Sequence, residues 1–368
     1  VRILQIIQKD QPRGAEIFAS QLSRHLRDRG HQVRIVSLFR HHPIKSSDLN
    51  HVALLRPLIL RFFDFKGWWL LSREIKHFKP DIVQANAGDT LKFAVFSRLF
   101  FFWRNVLVYR NANLMSNFAP SGIKNSFNSW LLRQTDYCIS VSNLCAQDLL
   151  LRFNVPARKN TTIEIGIDER PIPILPEPIR TFISSDPVLV HIGSFVPEKN
   201  HAGLIRIFSS IHDKNPEVKL VLAGEGPLLF SIKNQVAETG LSDSILFAGI
   251  MEDPYPLLSA ANVLLLPSLT EGIPAVILEA MYCACPVVAY RVGGIPDLIV
   301  QGETGYLVDQ GNEQRMVDYA IQILDPAYQP QIEKIKKNAS ALVQDHYRNA
   351  QIAQRFEQTY TQLTSQTL

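Results

Sequence analysis

The residues best placed to do chemistry lie in the second half of the chain, where the apolar run Val263 to Ser268 is followed by Leu-Thr-Glu271-Gly272-Ile-Pro274-Ala275-Val276-Ile-Leu-Glu279. Proline suits the first position of a helix, because its φ is already helical and the N–H it lacks would have no intrahelical partner there. Glu271 and Gly272 are therefore expected in a loop and Glu279 inside the helix, with both carboxylates turned toward one ligand. Between them, the free amides of Ala275 and Val276 carry the partial positive charge of a helix start, which suits an anionic or hydroxyl-rich group. Taken alone, the two glutamates better fit a plainer arrangement, one charge at a helix start and one in solvent.

Two further segments have the same strand-loop-helix form. His191-Ile-Gly193-Ser194-Phe-Val-Pro-Glu-Lys199-Asn200-His201 places a lysine where a helix begins. A lysine there neutralises a leaving diphosphate as a point charge, without a metal. Arg291-Val-Gly293-Gly294-Ile-Pro-Asp297 places two glycines after a strand. Adjacent glycines let main-chain amides approach phosphate oxygens, although such a pair is also an ordinary strand-to-helix turn.

The elements that must position these residues are legible as an alternation of short apolar runs with helix-period stretches, the pattern of a parallel sheet covered on both faces. In the first half, strands are expected at 2–8, 32–38, 81–86, 106–110, 137–142 and 161–165. The clearest helix runs from Ala15 to Asp28, with Phe18, Leu22 and Leu26 on one face and Gly30 as its cap. Pro171, Pro173, Pro176 and Pro178 then favour a stiff extended linker. Beyond it, strands are expected at 188–194, 218–224, 245–249, 263–268, 286–290 and 305–309, joined by helices at 200–214, 228–239 and 274–283. A polar-rich helical stretch, 329–366, could lie across both domains. The expected architecture is α/β, two doubly wound Rossmann-like domains facing across a cleft. The first covers 1–175 together with a returning helix at about 348–368, the second 185–347. Open sheets of this kind bind ligands at the carboxyl ends of their strands, so an interdomain site is expected.

At 368 residues the chain exceeds what one core usually organises, consistent with two domains. Its 46% hydrophobic and 20% charged residues are ordinary for a globular protein. Both apolar candidates for a membrane span, 54–71 and 91–108, are interrupted by cations, and Val1 to Ile7 lacks the features of a secretory signal, so a cytoplasmic location is expected. Cys138, Cys145, Cys283 and Cys285 have no paired metal-ligand spacing and are expected to be buried thiols, with Cys283-Ala-Cys285 the weaker redox or metal alternative. Charge is uneven: residues 1–180 hold 26 Lys+Arg against 14 Asp+Glu, residues 181–368 hold 12 against 20. The basic half favours an anionic partner.

Taken in order, the Gly193 to Lys199 loop, Leu222-Ala-Gly224-Glu-Gly226-Pro227, Phe247-Ala-Gly249, Leu266-Pro267-Ser268, the Glu271 and Glu279 pair, Gly293-Gly294 and Gly305-Tyr-Leu-Val resemble the retaining family 4 glycosyltransferases of GT-B fold, the group 1 type of bacterial surface-polysaccharide synthesis. They cover about half the chain. Arg13-Gly14-Ala15-Glu16 and Ser140-Val-Ser142 resemble that family more weakly. The resemblance implies that Glu279 binds the donor ribose and that Glu271 contacts the transferred sugar. It implies further that Lys199 holds the diphosphate and that Gly14 approaches the same phosphates from the other domain. Main-chain groups at Gly249 and Ile250 would meet the base, and Gly272 with the amides of Ala275 and Val276 the phosphate or sugar.

Three positions depart from the family pattern. Ser194 stands where many relatives have an arginine, Arg13 where the first-loop glycine pair begins, and Ile165-Gly166-Ile167-Asp168 where many read Asn-Gly-Ile-Asp. Arg13 is a candidate to supply the charge that Ser194 lacks. The resemblance implies a retaining, metal-independent transfer from a nucleotide-sugar, a co-substrate rather than a cofactor, to a glycan or lipid-linked glycan. The aromatic and basic stretches 54–78 and 91–110, with Arg61-Phe62-Phe63, Trp68-Trp69 and Phe100-Phe101-Phe102-Trp103-Arg104, fit an anionic membrane surface or ordinary core helices with basic outer faces. A nucleotide-sugar epimerase lacks its histidine and carboxylate set here. A non-catalytic sugar-nucleotide scaffold is disfavoured by the complete Lys199, Glu271 and Glu279 set, and nucleic-acid binding lacks a recognition motif.

Overall fold

Parallel strands need crossovers long enough to hold a helix, and the chain supplies them in two series. The computed structural model describes residues 1–11, 14–40, 50–118, 122–183 and 186–365. The first series has strands β1 (Arg2–Ile7), β2 (Gln32–Phe39), β3 (His51–Arg56), β4 (Ile82–Ala85), β5 (Val106–Asn111), β6 (Tyr137–Ser140) and β7 (Asn160–Thr162). Its helices are α1 (Gly14–Asp28), α2 (Phe65–Phe78), α3 (Gly88–Phe101), α4 (Gly122–Arg133) and α5 (Asn143–Phe153). The second has α6 (Glu177–Ile183), β8 (Val188–Ile192), α7 (His201–His212), β9 (Lys219–Ala223), α8 (Leu229–Thr239), β10 (Ile245–Gly249), α9 (Tyr255–Ala260) and β11 (Val263–Leu266). It continues with α10 (Ala275–Tyr282), β12 (Val287–Tyr290), α11 (Ile295–Leu298), β13 (Tyr306–Val308), α12 (Glu313–Leu324) and α13 (Gln329–His346); α14 (Asn349–Ser365) closes the chain.

Both sheets are parallel, in the orders β3-β2-β1-β4-β5-β6-β7 and β10-β9-β8-β11-β12-β13. The order reverses between β1 and β4 in one and between β8 and β11 in the other, which fixes where each sheet opens a crevice at its strand ends. Because helices cover both faces, central strands such as Val263–Leu266 and Val287–Tyr290 are buried at every position. Along α1, Phe18, Leu22 and Leu26 are buried on one face, and Gly30 at φ +88 ends the turn beyond it. α2 starts at Asp64, whose side chain accepts from the amide of Gly67 at 2.9 Å.

The chain divides into two compact units, Val1–Asp168 with Arg348–Leu368 and Glu169–Tyr347. The boundary thus falls ahead of the proline run, because that run is fastened to the second unit: Arg170 pairs with Asp253 at 2.7 Å and its carbonyl accepts from the Tyr282 hydroxyl at 3.2 Å. Pro178 lies in α6, so the segment is not extended throughout. The last stretch is two helices, α13 in the second unit and α14 in the first. They part after His346, where the amide of Asn349 is taken by the Ile167 carbonyl at 2.9 Å. β7 is shorter than its apolar pattern suggests, and β3 was not anticipated. All four cysteines are buried free thiols.

Candidate functional site

The second unit gathers most of the chemically promising residues at the ends of β8 and β11, the point where its strand order reverses. After β8 the chain turns through Gly193 and Ser194 into a short 3-10 turn, Pro197–Lys199. Asn200, in the left-handed region at φ +53, then caps α7 by accepting from the Gly203 amide at 3.2 Å. The same side chain donates to the Pro267 carbonyl at 3.2 Å, and the Leu269 amide donates to the Glu198 carbonyl at 2.7 Å. The loops after β8 and β11 are therefore stitched together, and their charged residues meet: Lys199 Nζ donates to Glu271 Oε1 at 2.6 Å. Only 19% of the lysine side chain and 9% of the glutamate are exposed, so this pair is far less screened than a surface one.

Glu271 and Gly272 lie in the loop before α10, with Pro274 at the cap rather than at the first helical position. Ala275 and Val276 are the first residues of α10, so their amides precede its intrahelical bonds. Gly293, at φ +55, sits against the Glu271 carbonyl, which lies 1.8 Å from where a Cβ would stand. The Gly294 amide donates to the Gly272 carbonyl at 2.7 Å. This glycine pair thus shapes the Glu271 loop directly, and one of the two amides read as phosphate-facing is engaged by protein. Gly249, at φ +70, gives its carbonyl to the Gly224 amide at 2.7 Å, and the side chain of Ile250 is exposed. Gly14 opens α1 in the first unit; Arg13 lies outside the described residues.

Glu279 has an environment that spacing alone does not disclose. Burial pushes its carboxyl up to about 7; Arg170 acts against that shift and Asp253 with it. Arg170 in turn lies over the Tyr255 ring at 4.5 Å. Beneath the lysine loop, His191 donates from Nδ1 to the Leu265 carbonyl at 2.8 Å, and its Nε2 has no partner among the described residues. His201 stacks on Phe195 at 3.9 Å. Burial lowers His191 to about 3 and His201 to about 4, helped by the Lys199 charge, so both are neutral. Burial also pushes Cys283 up to about 12 and Cys285 higher, which keeps both as thiols. Among the described residues no group of three or more His, Cys, Asp or Glu side chains could hold a metal ion.

Two parallel sheets with these strand orders place the chain among the GT-B proteins. Its backbone superposes on Anabaena HepE, crystallised in complex with UDP and glucose, with a TM-score of 0.85 at 20% identity over 98% of this chain and 99% of that one. It superposes on sucrose-phosphate synthase from Thermosynechococcus elongatus with a TM-score of 0.84, again at 20% identity, over 99% of each. Residues 178–341 match the family Glycosyl transferases group 1 and residues 12–170 match Glycosyltransferase Family 4. The chain belongs to this glycosyltransferase family.

Among curated relatives, N-acetyl-alpha-D-glucosaminyl L-malate synthase of Bacillus anthracis is 33% identical over 48% of this chain and 45% of its own length. The GDP-mannose-dependent alpha-(1-6)-phosphatidylinositol monomannoside mannosyltransferase of Mycolicibacterium smegmatis is 34% identical over 33% of this chain and 35% of its own. A Campylobacter jejuni N-acetylgalactosaminyltransferase whose name gives N-acetylgalactosamine-N,N'-diacetylbacillosaminyl-diphospho-undecaprenol as acceptor is 27% identical over 53% and 54%. The chain therefore spans about half or less of the length of these relatives.

Proposed function

We propose that this chain transfers a hexose from a nucleotide-diphosphate donor to a hydroxyl of a glycan or lipid-linked glycan, with retention at the anomeric carbon and without a metal. The observation that carries the reading is the 2.6 Å Lys199–Glu271 pair beside the free amides of α10, at the strand-order reversal of the second unit. In this reading the bond from C1 of the sugar to the diphosphate oxygen breaks, and the acceptor oxygen bonds C1 on the same face. The acceptor's proton passes to the departing diphosphate. Lys199 and the amides of Ala275 and Val276 stabilise the charge that develops on the leaving group. Glu271 orients Lys199 and meets the sugar hydroxyls, and Glu279 accepts from the ribose. Ser194, Gly249 and Ile250 complete the donor contacts, with Gly293 nearest the phosphates. HepE's UDP and the undecaprenol-linked acceptor of the Campylobacter enzyme support a sugar nucleotide and a lipid-linked glycan as the substrate classes.

Saturation-transfer NMR with UDP-, GDP- and ADP-sugars, repeated on Glu279→Ala, tests the donor site. One donor should give a signal that the variant loses. Lys199→Ala should lower kcat by about 10²- to 10³-fold, the size found for removing one charge-stabilising donor. Unchanged turnover in a folded Lys199→Ala protein would overturn the mechanism, and donor binding without any turnover would favour the scaffold reading.

A further inference from the structure

Beneath the Lys199 loop, Nε2 of His191 and both ring nitrogens of His201 have no partner among the described residues. His191 lies in β8 and His201 opens α7; both are buried, and their rings meet edge-on at 4.7 Å. The stack on Phe195 at 3.9 Å accounts for His201 as a packing ring. His191 is different. A carbonyl can only accept, so the 2.8 Å contact with the Leu265 carbonyl puts the ring proton on Nδ1 and leaves Nε2 a bare lone pair. A buried acceptor left without a donor is destabilising, so its role turns on which donor can reach it.

The donor nearest to hand is Lys199, the one cation among residues 193–199. The point where a Cβ at position 193 would stand is 3.4 Å from His191 Nε2 and 3.4 Å from both Cδ and Cε of Lys199. Gly193 therefore leaves a methyl-sized opening, with the imidazole lone pair on one side and the last carbons of the lysine on the other. Rotation about the terminal bonds of the lysine, between staggered rotamers, carries Nζ from Glu271 toward that opening. Burial, and to a smaller extent the charges of His201 and Lys199, keeps His191 neutral, so the ring offers an acceptor that carries no negative charge.

We propose that His191 is a positioning residue: through the opening at Gly193 its Nε2 gives the Lys199 ammonium a second, uncharged seat, taken when Glu271 turns to the sugar hydroxyls of a bound donor. With Glu271 as partner, the lysine charge is opposed by a carboxylate 2.6 Å away. With His191 as partner, a neutral acceptor holds the ammonium and its charge is left to face the departing diphosphate. The absence of a side chain at 193 lets the two groups meet, because a methyl there would stand in van der Waals contact with both and separate them. The timing of the exchange rests on the transfer reading. The seat itself does not, and it can be tested without a donor.

Glu271→Ala strips Lys199 of its carboxylate in the ligand-free protein. In 15N spectra of histidine-labelled protein the Nε2 resonance of His191 should then move upfield, as an imidazole lone pair does on gaining a donor, and should return in E271A/K199M and in E271A/G193A. No movement in folded Glu271→Ala overturns the proposal and leaves the transfer reading to its own donor-binding test. Turnover gives a second readout. His191→Asn keeps an N–H for the Leu265 carbonyl but has no acceptor at the Nε2 position, whereas His191→Gln places an amide oxygen there and gives up the Leu265 bond. His191→Asn should lose at least about tenfold in kcat, the size of one hydrogen bond to a charged group, with donor affinity little changed. His191→Gln should recover most of that loss despite a lower thermal midpoint. A purely structural histidine would reverse the order and make Asn the better enzyme, which would also overturn the proposal.

Discussion

At Glu279, opposing influences hold a carboxyl close to its titration point at neutral pH, with burial raising it to about 7, Asp253 adding to the rise and Arg170 opposing it. Hydroxyls that donate to this carboxyl favour its ionised form, so donor binding should release a proton and tighten as pH rises. With one linked proton, affinity should increase about tenfold between pH 6 and 8 and level off above. Calorimetric titration across that range checks it. Glu279→Gln should flatten the profile, Asp253→Asn should move its midpoint down and Arg170→Ala should move it up; a flat wild-type profile would remove Glu279 from the donor contacts. The two histidines under the lysine loop predict a separate effect. Their folded-state values, about 3 and about 4, lie below the ordinary 6.5, so the unfolded chain takes up protons first as pH falls. Their contribution to stability is complete above pH 6.5 and is lost progressively toward pH 4. Thermal midpoints of the second unit should fall over that window, and less steeply in His201→Phe, which keeps a ring against Phe195.

Among elements, the loops at the strand ends are held by close backbone approach more than by side chains. Gly293 and Gly311 both have positive φ, +55 and +86, but a Cβ at 293 would stand 1.8 Å from the Glu271 carbonyl, whereas nothing lies within 4 Å at 311. Gly311→Ala should therefore cost only the left-handed conformation, roughly 1–2 kcal/mol. Gly293→Ala must also displace the Glu271 loop and should reduce turnover at least about tenfold beyond that, the expected cost of misplacing a substrate-positioning group. Equal activity losses in the two variants would mean that the 271–293 contact does not position the site. These elements also show why part of the site was readable in sequence. The apolar runs of β8 and β11, Pro274 before a helix and Lys199 before α7 are local signals, and they place Lys199 and Glu271 on adjacent loops. The arrangement around Glu279 is not local: Arg170, Asp253 and Tyr255 arrive from a linker, a loop and another helix. β3 escaped notice because it is an edge strand of half-exposed residues ending in Arg56, whose charge is offset by the Asp64 carboxylate at 2.7 Å. The doublet Trp68-Trp69 likewise hides its division, since the first ring is buried and the second exposed.

On the scale of the whole molecule, the two units differ in charge more sharply than the two halves of the sequence. The first, with its returning helix, holds 26 Lys+Arg against 13 Asp+Glu, and the second 12 against 21. The returning helix α14 contributes structure rather than charge. Ile352, Phe356 and Tyr360 are fully buried. The Phe356 ring lies 5.9 Å from Phe18 of α1, and the Tyr360 hydroxyl donates to Gln84 Oε1 at 2.6 Å within a buried amide cluster that includes Gln5 and Asn86. At its polar edge Glu357 is held below the usual carboxylate range by hydrogen bonds from His31 and Arg29. At roughly 1.5–3 kcal/mol for each large side chain, α14 stabilises the first unit by an amount comparable with the net stability of a domain. Its removal would also leave buried amides without a partner. Deleting residues 349–368 should therefore abolish the first unit's calorimetric transition and open its sheet amides to hydrogen exchange, while the second unit, which is compact within Glu169–Tyr347, keeps its own transition within a few degrees. If the shortened chain retains both transitions, α14 is an accessory helix and the first unit's core is complete without it.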